Sequence, residues 1–207
     1  MPRISAATVA DHRANQHAAL LEAAREILAA EGVHALTPAA VGARIGLARS
    51  SVYRYFASTA DILAQLVEDA FPRWSARLRA AIAPDADGSL PGRIRAYGRA
   101  ALDFVGSPDY ALIPALQAIG LPGECRVRVD ELHGELIAPL ADALREAGAD
   151  HPALRAELAW GVLRAGARRL MPDGAAQDAA AQDVAAVTAD PDEIIEVTLD
   201  VLTRALR

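Results

Sequence analysis

The sequence contains no lysine, a single cysteine and few aromatic residues. All 21 basic residues are therefore arginines, which excludes lysine chemistry and leaves planar guanidinium groups suited to carboxylate or phosphate. Cys125 has no partner for an intramolecular disulfide, so nothing asks for an oxidising compartment. No apolar run approaches the roughly 18 residues of a membrane span, and residues 1–16 lack the apolar core of a signal peptide. We therefore expect a soluble, cytoplasmic protein with no membrane partner.

The net charge of −6 is unevenly distributed along the 207 residues. Residues 1–60 hold six arginines against four acidic residues, which gives +2, whereas the remainder holds 15 arginines against 23 acidic residues, which gives −8. The N-terminal quarter can therefore approach a polyanion that the rest of the chain would repel. With 53% hydrophobic residues the chain is too apolar for disorder and long enough to bury one or two cores.

Helix patterns fill most of the chain, and strand patterns are absent. Glycines and cap–proline pairs separate the apolar repeats, which predicts an all-α fold of about nine helices. The clearest predicted helix starts are Thr37–Pro38, the Ser58–Asp61 capping box, Ser89 and Asp190–Pro191. The Ala-, Asp- and Gln-rich segment 172–189 predicts a mobile loop.

Residues 37–56 have the pattern of a helix-turn-helix. Two short helices flank a turn at Gly46, and the apolar pairs Val41/Ile45 and Val52/Phe56 are spaced to pack the helices together. The second helix then presents side chains rich in hydrogen-bond donors and free of carboxylates, which suits a major groove lined by phosphates. These side chains are Arg49, Ser50, Ser51, Tyr53, Arg54 and Tyr55. A plain helical corner without DNA contacts is the alternative interpretation.

Residues 14–74 resemble the DNA-binding domain of the TetR/AcrR family of bacterial transcriptional regulators. The matching elements are Glu31–Gly32, Leu36–Thr37, Ile45–Gly46, the run Ser51–Val52–Tyr53–Arg54–Tyr55–Phe56, Ser58, and Asp61–Ile62–Leu63. The resemblance implies an N-terminal three-helix DNA-binding domain and a C-terminal helical domain that binds ligand and dimerises. It places a flexible arm at 1–13, the DNA-binding domain at 14–74 and the second domain at 75–207. No enzymatic activity, cofactor or metal is expected.

The resemblance also assigns roles to single residues of the helix-turn-helix. It implies that Arg49, Ser50 and Ser51 face bases and that Tyr53 and Tyr55 contact phosphate or base, while Thr37 donates to a phosphate. Family members often carry lysine where this chain has Thr59. The threonine therefore leaves this chain without one phosphate-neutralising charge, which Arg54 could replace. The implied function is a repressor that binds a pseudo-palindromic operator as a dimer and is released by a small-molecule inducer.

The C-terminal helices carry the expectations about the dimer and the inducer. The last helix is apolar on two faces, and the helix from Leu154 to Met171 has small residues among its apolar ones, so we expect both in a homodimer interface. The few bulky residues of this half that could line an inducer pocket are Tyr97, Phe104, Tyr110, Cys125, Trp160 and Arg164. Two other interpretations remain: a helical interaction module and a redox sensor based on Cys125, each with a helix-turn-helix that no longer reads specific DNA.

Overall fold

The structure is a computed structural model that describes residues 9–83, 88–119, 123–170 and 190–206. These residues form nine α-helices and two short 3-10 helices and contain no strand, which confirms the all-α prediction. The helices are α1 (Val9–Glu31), α2 (Pro38–Arg44), α3 (Arg49–Val52), α4 (Thr59–Ala81), α5 (Leu90–Leu102), α6 (Leu112–Ile119), α7 (Gly123–Glu146), α8 (Pro152–Arg169) and α9 (Pro191–Ala205). The 3-10 helices are Asp103–Gly106 and Pro108–Ala111. The predicted loop 172–189 lies outside the described residues.

The chain divides into two compact units. The first comprises Met1–Ala70 and Pro108–Val127, and the second comprises Phe71–Ser107 and Arg128–Arg207. The division falls inside α4, one residue before Pro72, which the helix accommodates without ending. Two differences from the sequence analysis follow. Residues 9–13, expected in a flexible arm, begin α1, and residues 108–127, expected in the second domain, belong to the first unit.

Local sequence determines where several helices begin and end. Thr37 and Ser89 cap α2 and α5 by accepting hydrogen bonds from the backbone N–H groups of Ala40 and Gly92, and Asp190 caps α9. Gly32 follows α1 with φ of 78°, a left-handed conformation that glycine adopts at little cost. The predicted starts at Thr37, Ser89 and Asp190 are therefore confirmed.

Arg25 links three elements of the first unit. Its guanidinium pairs with Asp69 of α4 and, at 3.1 Å, with Asp109 of the second 3-10 helix, while Glu22 lies 2.6 Å away on α1 itself. Arg25 and Asp109 are mostly buried, so each charge depends on the others for solvation. This network explains why the second 3-10 helix, which follows α5 in the sequence, packs with the N-terminal helices.

The second unit is held by α5, α8 and α9, which pack against one another at two close approaches. A Cβ added to Gly98 of α5 would lie 2.6 Å from a methyl group of Leu202, and one added to Gly166 of α8 would lie 2.5 Å from the hydroxyl of Thr198. The glycines therefore allow the helices to approach closely. The surrounding core is aliphatic apart from the fully buried Tyr97.

Candidate nucleic-acid interface

The helix-turn-helix is built around the contact between α2 and α3. Val41 and Val52 are fully buried, and Gly42 lies directly against Val52, where a Cβ would collide with the valine methyl group. Gly46 turns the chain with φ of 69°, and the Leu47 N–H donates to the Gly42 carbonyl at 2.8 Å. The role of Gly46 was predictable from sequence but that of Gly42 was not, because a glycine inside a helix pattern does not reveal which neighbour lies against it.

The second helix of the helix-turn-helix is shorter than the sequence predicts. Helix α3 spans a single turn, Arg49–Val52, and Tyr53 is its C-cap. No side chain caps its start at Ala48. The chain then continues as a turn, in which the N–H groups of Tyr55 and Phe56 both donate to the Val52 carbonyl. Residues 53–56, expected on a helix, are therefore held by turn hydrogen bonds and by contacts to other helices.

An exposed, donor-rich surface lies at the start of α3. Arg49, Ser50, Tyr53 and Arg54 are exposed, as predicted from their spacing. The Arg49 guanidinium lies 5.6 Å from the centre of the Tyr53 ring and 3.4 Å from its hydroxyl oxygen, so the two side chains contact each other directly. This surface can offer several N–H and O–H donors to base edges or phosphates at once.

Two other predicted contact residues, Ser51 and Tyr55, are only partly exposed. The Tyr55 hydroxyl donates to Gln16 Oε1 on α1 at 2.8 Å, and its ring stacks on His17. Tyr55 therefore packs against α1, and its hydroxyl could donate to a phosphate only by giving up the bond to Gln16.

The threonines at the starts of α2 and α4 differ in what they can donate. Thr37 is exposed and its oxygen accepts from the Ala40 N–H, so its own hydrogen stays available to a phosphate. Thr59 is partly buried and donates to the Leu36 carbonyl at 2.7 Å. Its hydroxyl hydrogen is used inside the protein, so a phosphate contact through Thr59 would have to break that bond.

The arginines of the first unit fall into two groups. Arg25 is neutralised by its three carboxylates, and Arg44 pairs with Glu31 at 2.6 Å and Glu26 at 3.6 Å. Arg49 and Arg54 have no carboxylate partner among the described residues and remain exposed. Arg13, which the sequence analysis placed in the arm, lies on α1 with its guanidinium 6.0 Å from the Tyr55 ring. The unpaired positive charge is therefore concentrated beside α3.

Comparison with known proteins agrees with this geometry. Residues 20–66 match the family model described as bacterial regulatory proteins of the tetR family. Over these residues the chain is similar to that family. The matched segment begins within α1 and ends within α4, and it contains the whole helix-turn-helix. A comparison with curated protein sequences gives no significant match.

Several solved structures of regulators share the fold over nearly the whole chain. SCO4454, a TetR-family transcriptional regulator from Streptomyces coelicolor, is 20% identical with a TM-score of 0.70, covering 94% of this chain and 95% of that one. The regulatory protein SCO4313 is 27% identical with a TM-score of 0.66, covering 98% of both chains. The fatty acid degradation regulator FadR from Bacillus halodurans is 16% identical with a TM-score of 0.70, covering 93% and 96%. The TetR family and these relatives are regulators rather than enzymes.

The six residues predicted to line an inducer pocket are distributed over both units. Tyr110 and Cys125 belong to the first unit, and the Cys125 side chain lies outside the described residues. In the second unit Tyr97 is fully buried and donates to the Leu136 carbonyl at 2.9 Å, whereas Arg164 is exposed. Burial also raises the pKa of the Tyr97 hydroxyl.

The two remaining residues of that predicted set lie in separate environments of the second unit. Phe104 packs edge-on against Trp74, with ring centres 4.6 Å apart. Trp160 is partly buried, and its Nε1 has no hydrogen-bond partner among the described residues. An open groove of about 360 Å³ lies instead between α5 and α9, lined by Gly92, Arg95, Ala96, Arg99, Glu196 and Leu199. Sequence patterning gave no indication of this groove.

No three His, Cys, Asp or Glu side chains among the described residues are placed to hold a metal ion together. None of the described helices is long and apolar enough to cross a membrane.

Proposed function

We propose that this TetR-family DNA-binding regulator is a repressor that binds a pseudo-palindromic operator as a homodimer in the cytoplasm and is released by a small-molecule inducer. The observation that carries the DNA-reading part is the exposed Arg49–Tyr53 pair beside Arg54. These donors lie on one surface without a carboxylate partner, while Arg25 and Arg44 are already neutralised. Such a surface is better suited to bind a DNA groove, where base edges lie between phosphates, than to bind a protein partner.

The test is fluorescence anisotropy on the DNA upstream of the protein's own gene, with scrambled duplex as competitor. The double variant Arg49→Ala/Tyr53→Ala should lose operator binding while its melting temperature stays within about 2 °C of the wild type, because both side chains are exposed. A wild-type affinity retained by that variant would remove these two residues from the interface.

The homodimer is proposed through exposed apolar faces of α8 and α9. Helix α8 exposes Leu154, Leu158, Gly161 and Ala165 at helical spacing, and α9 exposes Val197, Val201 and Ala205. Large apolar side chains on one face of paired helices favour a protein partner over solvent. A two-fold dimer would also place two recognition helices about 34–36 Å apart, which is one turn of DNA.

The charges of the two helices support a second copy of this chain as the partner. Helix α8 carries four arginines and one glutamate, which gives +3, whereas α9 carries four acidic residues and one arginine, which gives −3. A symmetric contact that places α8 of one protomer against α9 of the other is therefore electrostatically complementary.

The dimer is tested by sedimentation equilibrium of Leu158→Glu against the control Val127→Glu. Both leucine and valine are exposed, by 65% and 59%, but only Leu158 lies on the proposed interface. We expect Leu158→Glu to be monomeric and Val127→Glu to remain a dimer. Equal behaviour of the two variants would contradict the assigned interface.

The inducer is proposed to bind in the second unit near Trp160. A buried indole N–H without an acceptor costs about 1–3 kcal/mol, and a ligand with a carbonyl or carboxylate oxygen would remove that cost. A panel of small acids and esters screened for release of operator DNA tests this proposal. A compound that releases the wild-type protein from operator DNA should be at least about fivefold less effective at releasing the Trp160→Phe variant. An identical response of the two proteins would exclude Trp160 as a contact of that compound.

A further inference from the structure

Backbone hydrogen bonds to the Val52 carbonyl tie the turn that follows α3 to that short helix, and side-chain contacts attach the turn to α1 and α4. Helix α3 has only four residues, and the exposed Tyr53 and Arg54 lie beyond its last helical residue. A side chain in a turn is positioned only as well as the turn is fixed by its surroundings. The contacts of residues 53–57 with α1 and α4 therefore add to the accuracy with which these donors are presented.

Gln65 of α4 makes the central contact with this turn. Its Nε2 donates to the Tyr55 carbonyl at 3.0 Å and to Asp61 Oδ1 at 3.0 Å, and its Oε1 lies 2.6 Å from His17 Nε2. Every polar atom of the amide is thus used, and the reverse orientation would place Oε1 against two acceptors. Because Oε1 can only accept, His17 Nε2 carries the hydrogen of that bond.

Two further contacts fix the turn on either side of the Gln65 bond. The Ala57 N–H donates to Asp61 Oδ2 at 2.8 Å, so Asp61 joins Gln65 to the end of the turn. The Tyr55 ring stacks on His17 with an interplanar angle of 12°. His17 therefore supports the turn twice, through the Tyr55 ring and through the Gln65 amide.

We propose that Gln65, oriented by His17, is a positioning residue for DNA recognition: it holds the turn at 53–57 so that Tyr53 and Arg54 face the groove. The inference rests on the proposed DNA-reading function and extends it to residues that do not touch DNA themselves. It predicts that loosening this contact reduces discrimination between sequences more than it reduces general attraction to DNA, because phosphate attraction tolerates misplacement better than base contacts do.

The test compares Gln65→Leu with Gln117→Leu, the same substitution at an exposed glutamine of α6 in the same unit. Operator affinity and scrambled-duplex affinity are measured by anisotropy, and melting temperature is recorded for both variants. We expect Gln65→Leu to lose about tenfold of the operator-to-scrambled affinity ratio, the equivalent of one weakened base contact, and Gln117→Leu to lose none. His17→Phe, which keeps a ring against Tyr55, should act in the same direction.

A second readout does not require DNA. Hydrogen exchange of the amides at 53–57 should be at least about tenfold faster in Gln65→Leu than in the wild type, while the α2 amides exchange as before. Unchanged exchange at 53–57 would overturn the proposal, and so would faster exchange with an unchanged affinity ratio. A wild type without any operator preference would instead refute the proposed function, and the exchange measurement would still decide whether Gln65 holds the turn.

Discussion

Two arginines of the helix-turn-helix should differ sharply in their effect on the salt dependence of DNA binding. Arg54 is exposed with no carboxylate partner among the described residues, whereas Arg44 lies between Glu31 and Glu26 at 2.6 and 3.6 Å. If only Arg54 neutralises a phosphate, Arg54→Ala removes the release of counterions at that position and Arg44→Ala does not.

The size of the effect follows from the number of phosphates. Each neutralised phosphate contributes about 0.9 to the slope of log affinity against log salt, so a dimer that loses two Arg54 contacts should lose about 1.8. Between 50 and 200 mM salt this slope corresponds to a factor of about 12, which is the amount by which the defect of Arg54→Ala should shrink at the higher concentration.

Anisotropy titrations at four or more salt concentrations, on operator and on scrambled duplex, measure both slopes directly. Arg44→Ala serves as the matched control, since it removes the same charge from the same domain. An unchanged slope for Arg54→Ala, or an equal change for the two variants, would refute the division of these arginines into paired and phosphate-facing groups.

Three further outcomes concern the stability of the fold. Gly42→Ala should lower the free energy of unfolding by about 1–3 kcal/mol, measured by thermal or urea unfolding, because the new methyl group collides with Val52. The control is Gly134→Ala, whose new methyl group lies in open space on α7 and should not be destabilising. Tyr97→Phe should cost about 1 kcal/mol near neutral pH by removing the buried hydrogen bond to the Leu136 carbonyl. Because burial raises the pKa of the Tyr97 hydroxyl above its ordinary 10.0, the unfolded chain loses this proton at a lower pH than the folded protein does. The free energy of unfolding of the wild type should therefore fall as the pH rises above about 10, and that of Tyr97→Phe should fall less. Equal slopes of stability against alkaline pH would contradict the assignment.

The helix boundaries and the helix-turn-helix were predictable because short-range rules determine them. Thr37, Ser89 and Asp190 cap helices where side-chain oxygens precede proline or glycine by short, characteristic spacings. The turn at Gly46 follows from the same kind of local preference for a left-handed conformation. Helix existence and the surface at Arg49 therefore needed no knowledge of tertiary contacts.

What the sequence could not reveal depends on contacts between distant residues. Arg25 meets Asp109 across 84 positions, and His17 meets Gln65 across 48, and neither pair has a spacing that marks it. The lining of an inducer pocket stays a prediction, because bulky aromatic side chains also fill cores, as Tyr97 does. The length of α3 was overestimated because Tyr53 and Phe56 continue a helical spacing that turn hydrogen bonds also satisfy.

Hydroxyl-radical footprinting of the purified protein on the DNA upstream of its gene tests the central claim most directly. A dimer that reads DNA with two copies of α3 should protect two similar half-sites whose centres lie about 10–10.5 base pairs apart, or a multiple of that distance. The Arg49→Ala/Tyr53→Ala variant should leave both unprotected. Protection that is uniform along the fragment, or that persists in this variant, would contradict sequence-specific reading by this helix-turn-helix.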